Sequence, residues 1–449
     1  MVLIVKLEMK RLIFMKKTTV GENLKKIRKD LNLKQYQIAG EDVTRNLISL
    51  MENNKTPIYH NVANIIAKNI NEILAKRGQD IYIQAEDILN PERYEARKKA
   101  NEYISQLQKQ LNEQNYNIQV EKLNEIENFL NRWRFIDKKV KIYELLGDIF
   151  YNAKDLNREY YYYIKALEVS YEHPNMKERY KLILKLVYNC IVTKKYQEAI
   201  RLCDFAITTQ EDITEKYKGI FYFNSALAYY YLKDYDKALD QLVYSKFHVA
   251  FDDYREMKRI LILEGICNVK IQNYNGALRS YNKLLDIIDK DNIEEICLAY
   301  VNLIQIYIEK NNKEMVIKYH NKILELLPSL DINTYYYLKI LISVSNTYKY
   351  LRDDEHYELY LIEVLKHSNK LKDENIFSIT LSDLLDFYME TGKVNKIEAI
   401  LEQYENSIIN INKNQNYFIS LKSIYSYLEL NKIEKAKKLI KNILEKEDN

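Results

Sequence analysis

Between residues 34 and 55 the chain places Lys34, Gln35, Thr44, Arg45, Asn46, Ser49 and Lys55 close together in sequence. Arginine carries a planar fork of donors, and asparagine carries a donor and an acceptor side by side. On a duplex the fork matches the O6 and N7 edge of guanine, and the amide matches the N6 and N7 edge of adenine. Arg45 and Asn46 are therefore candidate base readers, with Thr44 and Ser49 beside them. Lys34, Gln35 and Lys55 sit where phosphates would pass, contacts that set register and make affinity fall with salt. Charge agrees with this chemistry. Residues 16–80 hold 12 Lys/Arg against 7 Asp/Glu, a net of +5. Lys6, Glu8, Lys10 and Arg11 raise residues 1–80 to +7, and a whole-chain charge of +4 leaves −3 for residues 81–449. An anionic partner is expected for the N-terminal part alone.

Other chemistries find little support. Cys190, Cys203, Cys267 and Cys297 form no CxxC pair and no metal-ligand spacing with histidine. They read as buried free thiols suited to a reducing cytosol, so a cytoplasmic location is expected. The six histidines, at 60, 173, 248, 320, 356 and 367, are dispersed. There is no phosphate-cradling Gly-rich loop, no HExxH and no GxSxG. No enzyme, metal or cofactor is expected. The 41 tyrosines mark no site by number alone. No apolar run reaches the roughly 20 residues that a membrane span needs. The opening MVLIVKLEMKRLIFMKK is broken by Lys6, Glu8, Lys10 and Arg11, so it lacks a signal-peptide core. It is read as an uncertain extension over 1–17, with Met15 as a candidate start.

Three short helices must hold the candidate base readers. Leu24, Ile27 and Leu31 recur at helical spacing and predict a first helix ending near Asn32. A second runs from about Lys34 to Gly40, with Ile38 and Ala39 inward, and Glu41 and Asp42 form the turn. Thr44 can cap a third, its hydroxyl accepting a first-turn N–H. Ile48 and Met51 then face inward, which leaves Arg45, Asn46 and Ser49 outside. Val62, Ile65, Ile66, Ile70, Ile73 and Leu74 supply closing helices. The set Gly21, Leu24, Ile27, Arg28, Leu33, Gln35, Ile38, Ala39, Val43, Ile48, Met51, Glu52 and Pro57 resembles the phage-repressor type of helix-turn-helix over residues 20–77, with one residue missing from its usual turn. The resemblance implies a DNA-binding domain over 18–80 whose third helix enters the major groove.

The rest of the chain repeats. Only 8 Gly and 4 Pro punctuate 449 residues, so long helices and short polar turns are expected. A small residue is followed by an aromatic at +3 and by further core positions at +12, +16 and +19. Copies are Gly147, Phe150, Glu159, Tyr163, Ala166; then Val187, Cys190, Ala199, Cys203, Ala206; then Ala226, Tyr229, Ala238, Leu242, Ser245; and Gly265, Asn268, Ala277, Tyr281, Leu284. Weaker copies centre on Val316, Tyr357 and Ile397, and a clearer one on Ala436. The +12 residues are therefore spaced by 39 to 41 positions. One step further back falls on Val120 and predicts a ninth, degenerate pair. Each unit reads as two amphipathic helices joined by a turn such as LKDYDKA at 232–238 or IQNYNGA at 271–277. No pair buries its apolar face alone, so the pairs must stack. Tyr196/Ala199 and Tyr235/Ala238 carry a resemblance to the tetratricopeptide repeat, although the period exceeds that family's 34 residues. The fold class implied is all-α: an N-terminal helix-turn-helix domain followed by a right-handed superhelical tetratricopeptide-like α-solenoid over 101–449. Residues 81–100 form a connector in which Asn90-Pro91 restarts a helix.

A DNA-reading domain on such an array resembles the RRNPP group, cytosolic peptide-responsive transcriptional regulators of Gram-positive bacteria. The resemblance implies a homodimer and a short signalling peptide bound on the concave repeat face. A bound backbone needs amide partners, and Asn224, Asn302, Gln305 and Asn346 fall on or near that face, with Tyr230, Tyr231 and Arg259 nearby. Arg259 can hold a peptide carboxylate. The alternative is a protein-interaction scaffold or anti-activator whose array binds a protein.

Overall fold

The protein is described from a computed structural model, over residues 18–79, 82–172, 176–250, 253–410 and 417–447. These residues form 24 α-helices and one 3₁₀ turn, with no strand among them. The expected extension over 1–17 and the expected junction at residues 80 and 81 lie outside the described residues. The chain divides into two compact units after Ile213.

The first unit opens with α1 (Val20–Asp30), α2 (Gln35–Ala39), α3 (Arg45–Glu52) and α4 (His60–Lys76). A capping box starts α1: the Thr19 N–H donates to Glu22 Oε2 at 2.9 Å, and the Glu22 N–H to Thr19 Oγ1 at 3.3 Å. Leu24, Ile27, Ile38, Ile48, Ile66 and Ile70 have no exposed surface and make the core of this head. Gly21 is required by close approach, since a Cβ there would lie 2.0 Å from the Met51 carbonyl oxygen. Next come α5 (Ala85–Leu89) and α6 (Pro91–Asn112). The second of these starts at Asn90-Pro91: Asn90 Oδ1 accepts the Glu92 and Arg93 N–H groups, and proline occupies the first position, where no N–H is needed. After α7 (Val120–Arg132) two helix pairs close the unit, α8 (Ile136–Asn152) with α9 (Leu156–Ser170) and α10 (Arg179–Val192) with α11 (Tyr196–Thr209).

The second unit continues the pairs. They are α12 (Glu215–Tyr231) with α13 (Tyr235–His248), α14 (Tyr254–Lys270) with α15 (Tyr274–Ile287), and α16 (Ile293–Glu309) with α17 (Lys313–Leu326). Then come α18 (Tyr335–Leu351) with α19 (Asp354–Leu371), and α20 (Glu374–Glu390) with α21 (Val394–Gln403). A short α22 (Glu405–Asn410) precedes the last pair, α23 (Tyr417–Glu429) with α24 (Ile433–Glu447).

The frame read from sequence is the packing frame. Every +12 residue from Glu159 to Ala436 is the fourth residue of the second helix of its pair, and none exposes more than 3% of its surface. The large Val316, Tyr357 and Ile397 are as buried as the alanines. Compensation runs between the first position and +16. A Cβ on Gly147 would lie 2.4 Å from the Tyr163 ring, and one on Gly265 would lie 2.6 Å from the Tyr281 ring. Ala226 faces the smaller Leu242 at the same places, and Val187 faces Cys203, so combined volume is roughly kept while its division shifts. The turns also repeat. Lys154, Lys194, Lys233, Gln272, Asn311, Arg352, Gly392 and Asn431 all have positive φ, each five residues before its +12 residue. Asp155, Asp234, Asn273, Asn312 and Asp353 follow directly and cap the second helix by accepting an N–H three residues on.

One extrapolation is corrected. Val120 is 62% exposed and opens α7 instead of sitting one turn inside it. The fourth residue of α7, Leu123, is the buried one. The register is three residues shorter here, 36 from Leu123 to Glu159, so a fixed 39-residue step overshoots the core position.

Candidate nucleic-acid interface and first-helix face

The N-terminus of α3 is open. Thr44 Oγ1 accepts the Leu47 N–H at 3.2 Å, which satisfies one of the unpaired N–H groups of the first turn of α3. Arg45 and Asn46 are exposed, Ser49 is half-buried, and Ile48 and Met51 fill the core from the other face. Lys34 and Lys55 are exposed at the ends of the segments flanking α2 and α3. Gln35 is half-buried, and its Nε2 donates to Glu52 Oε2 at 2.9 Å. It works as a strut between α2 and α3 with that nitrogen committed.

Glu52 is the residue sequence reasoning left without a role. Its side chain is 2% exposed and receives Arg28 Nε at 2.5 Å and Nη2 at 2.9 Å, while Arg28 Nη1 donates to the Leu33 carbonyl at 3.1 Å. Burial works against the Glu52 charge, but the hydrogen bonds from Arg28 and Gln35 outweigh it and hold the carboxyl below its usual range. The paired fork ties α1, the α1–α2 turn, α2 and the C-terminal end of α3 together. The signal available in sequence was a charged residue on the inward side of the third helix, three residues before Lys55.

The seven array candidates all lie in the second unit and share one face of the first helices. Counting back from each +12 residue, Arg259 is at −18, Asn224 and Asn302 at −14, Gln305 and Asn346 at −11, Tyr230 at −8 and Tyr231 at −7, positions that recur every turn on one side of a helix. Arg259, Tyr231, Gln305 and Asn346 are exposed, and Asn224, Tyr230 and Asn302 are half-buried. Local bonds occupy several of them. Asn224 Nδ2 donates to the Ile220 carbonyl and Asn302 Nδ2 to the Leu298 carbonyl, each at 2.9 Å on its own helix. Gln305 Nε2 donates to Glu309 Oε1 at 3.0 Å. Arg259 Nη1 pairs with Glu256 at 2.9 Å, and the guanidinium lies 4.4 Å over the Phe223 ring. The Tyr230 ring lies 5.4 Å from that of Tyr231. A cavity of about 410 Å³ elsewhere in this unit is lined by Asn369, Lys372, Phe377, Asn406 and neighbours, and includes none of the seven.

The same face of α23 was not singled out. Phe418, Leu421, Tyr425 and Leu428 stand at −18, −15, −11 and −8 there, and each is between 48 and 64% exposed. Their spacing makes one apolar stripe on a helix surface, the kind of patch that marks contact with a partner. The frame that located Arg259 and Tyr230 locates these four as well. No helix among the described residues is long and apolar enough to cross a membrane.

No family model matches the chain, and no curated protein is detectably similar to it in sequence. Similar solved structures include the apo form of the quorum sensor NprR from B. thuringiensis, 13% identical, covering 78% of this chain and 98% of that one at a TM-score of 0.46. Another is a signal-transduction ATPase with a tetratricopeptide-repeat sensor from Pyrococcus horikoshii, 15% identical, covering 94% and 70% at 0.48. The apo form of RapI is 17% identical, covering 61% and 99% at 0.40. These likenesses are too distant to carry an assignment of activity.

Proposed function

We propose that this protein is a cytosolic, non-catalytic transcriptional regulator that binds double-stranded DNA as a homodimer and is controlled by a short signalling peptide on the first-helix face of its array. The observation that carries the reading is the N-terminus of α3: a capped helix start with exposed Arg45 and Asn46, braced from behind by the Arg28–Glu52–Gln35 network. Lys34 and Lys55 flank it, and the excess positive charge of the chain lies within residues 1–80. These features support major-groove reading with phosphate contacts at the edges. The shared frame positions of Asn224, Arg259, Asn302 and Gln305 support an extended ligand spanning several pairs.

The test is selection of duplexes from a random pool by the purified chain. A two-half-site consensus, bound less tightly as salt rises and lost with Arg45→Ala, is expected. Recovery of unenriched sequence would contradict the reading. A protein-interaction scaffold is the second reading, favoured by the apolar stripe of α23; it gains if the pool yields no consensus.

A further inference from the structure

We propose that Asp87, Arg93 and Arg97 are positioning residues that lock the head to the first helix pair of the array through Phe135, so that the orientation of α3 follows the state of the array.

The connector over 81–100 was expected only to join two parts. Its described residues instead contain a buried charge cluster. Asp87 has no exposed surface, and Arg97 retains 4%. Asp87 Oδ1 lies 3.1 Å from Arg93 Nε, and Asp87 Oδ2 lies 2.7 Å from Arg97 Nε. Both guanidiniums also donate through Nη2 to one acceptor, Gln84 Oε1, at 2.7 and 3.1 Å. Asp87 Oδ2 further accepts the Gln84 N–H at 2.9 Å. One carboxylate and one amide oxygen thus hold two arginines in a single place.

The cluster has contacts on both sides. Toward the array, Arg93 and Arg97 each sit 4.7 Å from the centre of the Phe135 ring. Phe135 is 2% exposed and directly precedes α8. Two cations on a buried ring make a specific seat, because the ring quadrupole attracts them most strongly where water is excluded. Toward the head, Asn23 of α1 donates through Nδ2 to the carbonyls of Asp87 and Ile88, both at 2.8 Å. Asp30 at the end of α1 accepts Tyr94 Oη at 3.1 Å and Lys98 Nζ at 3.0 Å. Lys26 pairs with Glu95 at 2.5 Å. Helix α1 in turn carries Arg28, which holds Glu52 at the end of α3.

A continuous path therefore runs from Phe135 through the arginines, Asp87, Asn23 and Arg28 to the helix with Arg45. Its links are the ring and ion-pair contacts of the arginines, the backbone carbonyls that Asn23 holds, and the rigid backbones of α1 and α3, all inside the first compact unit. A flexible tether needs no buried ions, and burying Asp87 and Arg97 with Arg93 half-buried beside them is favourable only when geometry is fixed.

The experiment uses the full chain and two perturbations. Gly147→Ala pushes the Tyr163 ring from its place in the first pair, where the added Cβ would lie 2.4 Å away. Hydrogen exchange is then read in α8 and α9 and, separately, in α1 and α3. In the otherwise unchanged protein, exchange is expected to speed up in all four helices. With Phe135→Leu, or with Arg97→Met, the α1 and α3 amides should stop responding while α8 and α9 still do, and Arg97→Lys should restore part of the response. Head amides that ignore Gly147→Ala in the unchanged protein overturn the proposal, as does a response that survives both Phe135→Leu and Arg97→Met. Phe135→Leu keeps the charges and covers the case in which Arg97→Met does not fold. The functional consequence rests on the regulator reading and has its own arm. On duplexes with two half-sites at varied spacing, the unchanged protein should prefer one spacing at least 10-fold, and Phe135→Leu should reduce that preference below 3-fold with single half-site affinity kept. A variant that retains the preference overturns the proposal. If no duplex is bound selectively, the regulator reading falls and the exchange arm still decides the lock.

Discussion

His320 offers a quantitative test of the packing frame. It occupies a +16 position, where other pairs place Tyr163, Leu242, Tyr281 or Leu361. It is 2% exposed, and neither ring nitrogen has a hydrogen-bond partner. Tyr348 meets its ring edge-on at 4.6 Å, and His356, itself beside Asp353, stacks on the Tyr348 ring at 4.9 Å. Burial foremost, and His356 secondarily, push the His320 pKa down from 6.5 to about 4. A depressed histidine contributes stability that is intact above pH 6.5 and is lost as pH falls toward 4. The unfolded chain takes up the proton first. One pH decade is worth about 1.4 kcal/mol, so the interval from 6.5 to 4 amounts to about 3 kcal/mol at this site. His320→Leu, the residue other pairs use here, should abolish that acid loss and add about 1 kcal/mol at pH 7.5 by removing two unsatisfied nitrogens. Long arrays do not unfold in one step. The assay is therefore local: hydrogen exchange of α17 and α18 amides at matched intrinsic rates from pH 7.5 to 4, together with imidazole titration by NMR. An acid loss in these helices identical in His320→Leu and the parent refutes the reasoning, and so does an imidazole that titrates near 6.5 in the folded chain.

Glu159 is the converse case, a 1% exposed carboxyl at the place of Ala199 and Ala238, with neither oxygen hydrogen-bonded and its pKa raised by burial foremost and by Asp148. Its contribution is therefore present at acid pH and is lost as pH rises above the unfolded carboxyl value; Glu159→Gln should gain about 1–3 kcal/mol at pH 7.5 and nothing at pH 4 in the local opening free energy of α8 and α9 amides read by hydrogen exchange. Gly265→Ala should cost about 1–3 kcal/mol by overpacking the Tyr281 ring, and Tyr281→Leu should recover most of it, since Ala226 with Leu242 is the arrangement one pair earlier. Lys233, held at φ 64 in its turn, should tolerate glycine with a gain of about 0.5–1 kcal/mol, because a side chain there strains the left-handed conformation; faster hydrogen exchange of α12 and α13 amides in Lys233→Gly would show that the turn is set by something else.

The array was legible because its core positions differ in size in a fixed order. Gly147 with Tyr163 and Gly265 with Tyr281 announce a close approach, and the 39-residue spacing carries that through Val316, Tyr357 and Ile397, where the small residue is gone. The turns were legible only by position. Lysine and glutamine at 154, 194, 233 and 272 carry no turn signal of their own, yet they take a conformation that favours glycine. Val120 shows the limit of extrapolation, since a three-residue change in register moves a core position to the surface. At the head, helical spacing told inward Ile48 from outward Arg45. The alliances of Arg28, Gln35 and Glu52 needed coordinates, because spacing does not say which charged residues meet across three elements. Asn224 and Asn302 were chosen for donor and acceptor together, and each spends a donor on its own helix, a local bond open to any helical asparagine.

The most direct measurement is occupancy of this protein across the chromosome of its own cell, for the parent and for Arg45→Ala. Loss of the guanine contact should cost about 1–3 kcal/mol per half-site. The account predicts discrete sites containing two related half-sites, bound by the parent and vacated by the variant at equal protein level. Uniform occupancy, or discrete sites that Arg45→Ala leaves unchanged, would contradict it.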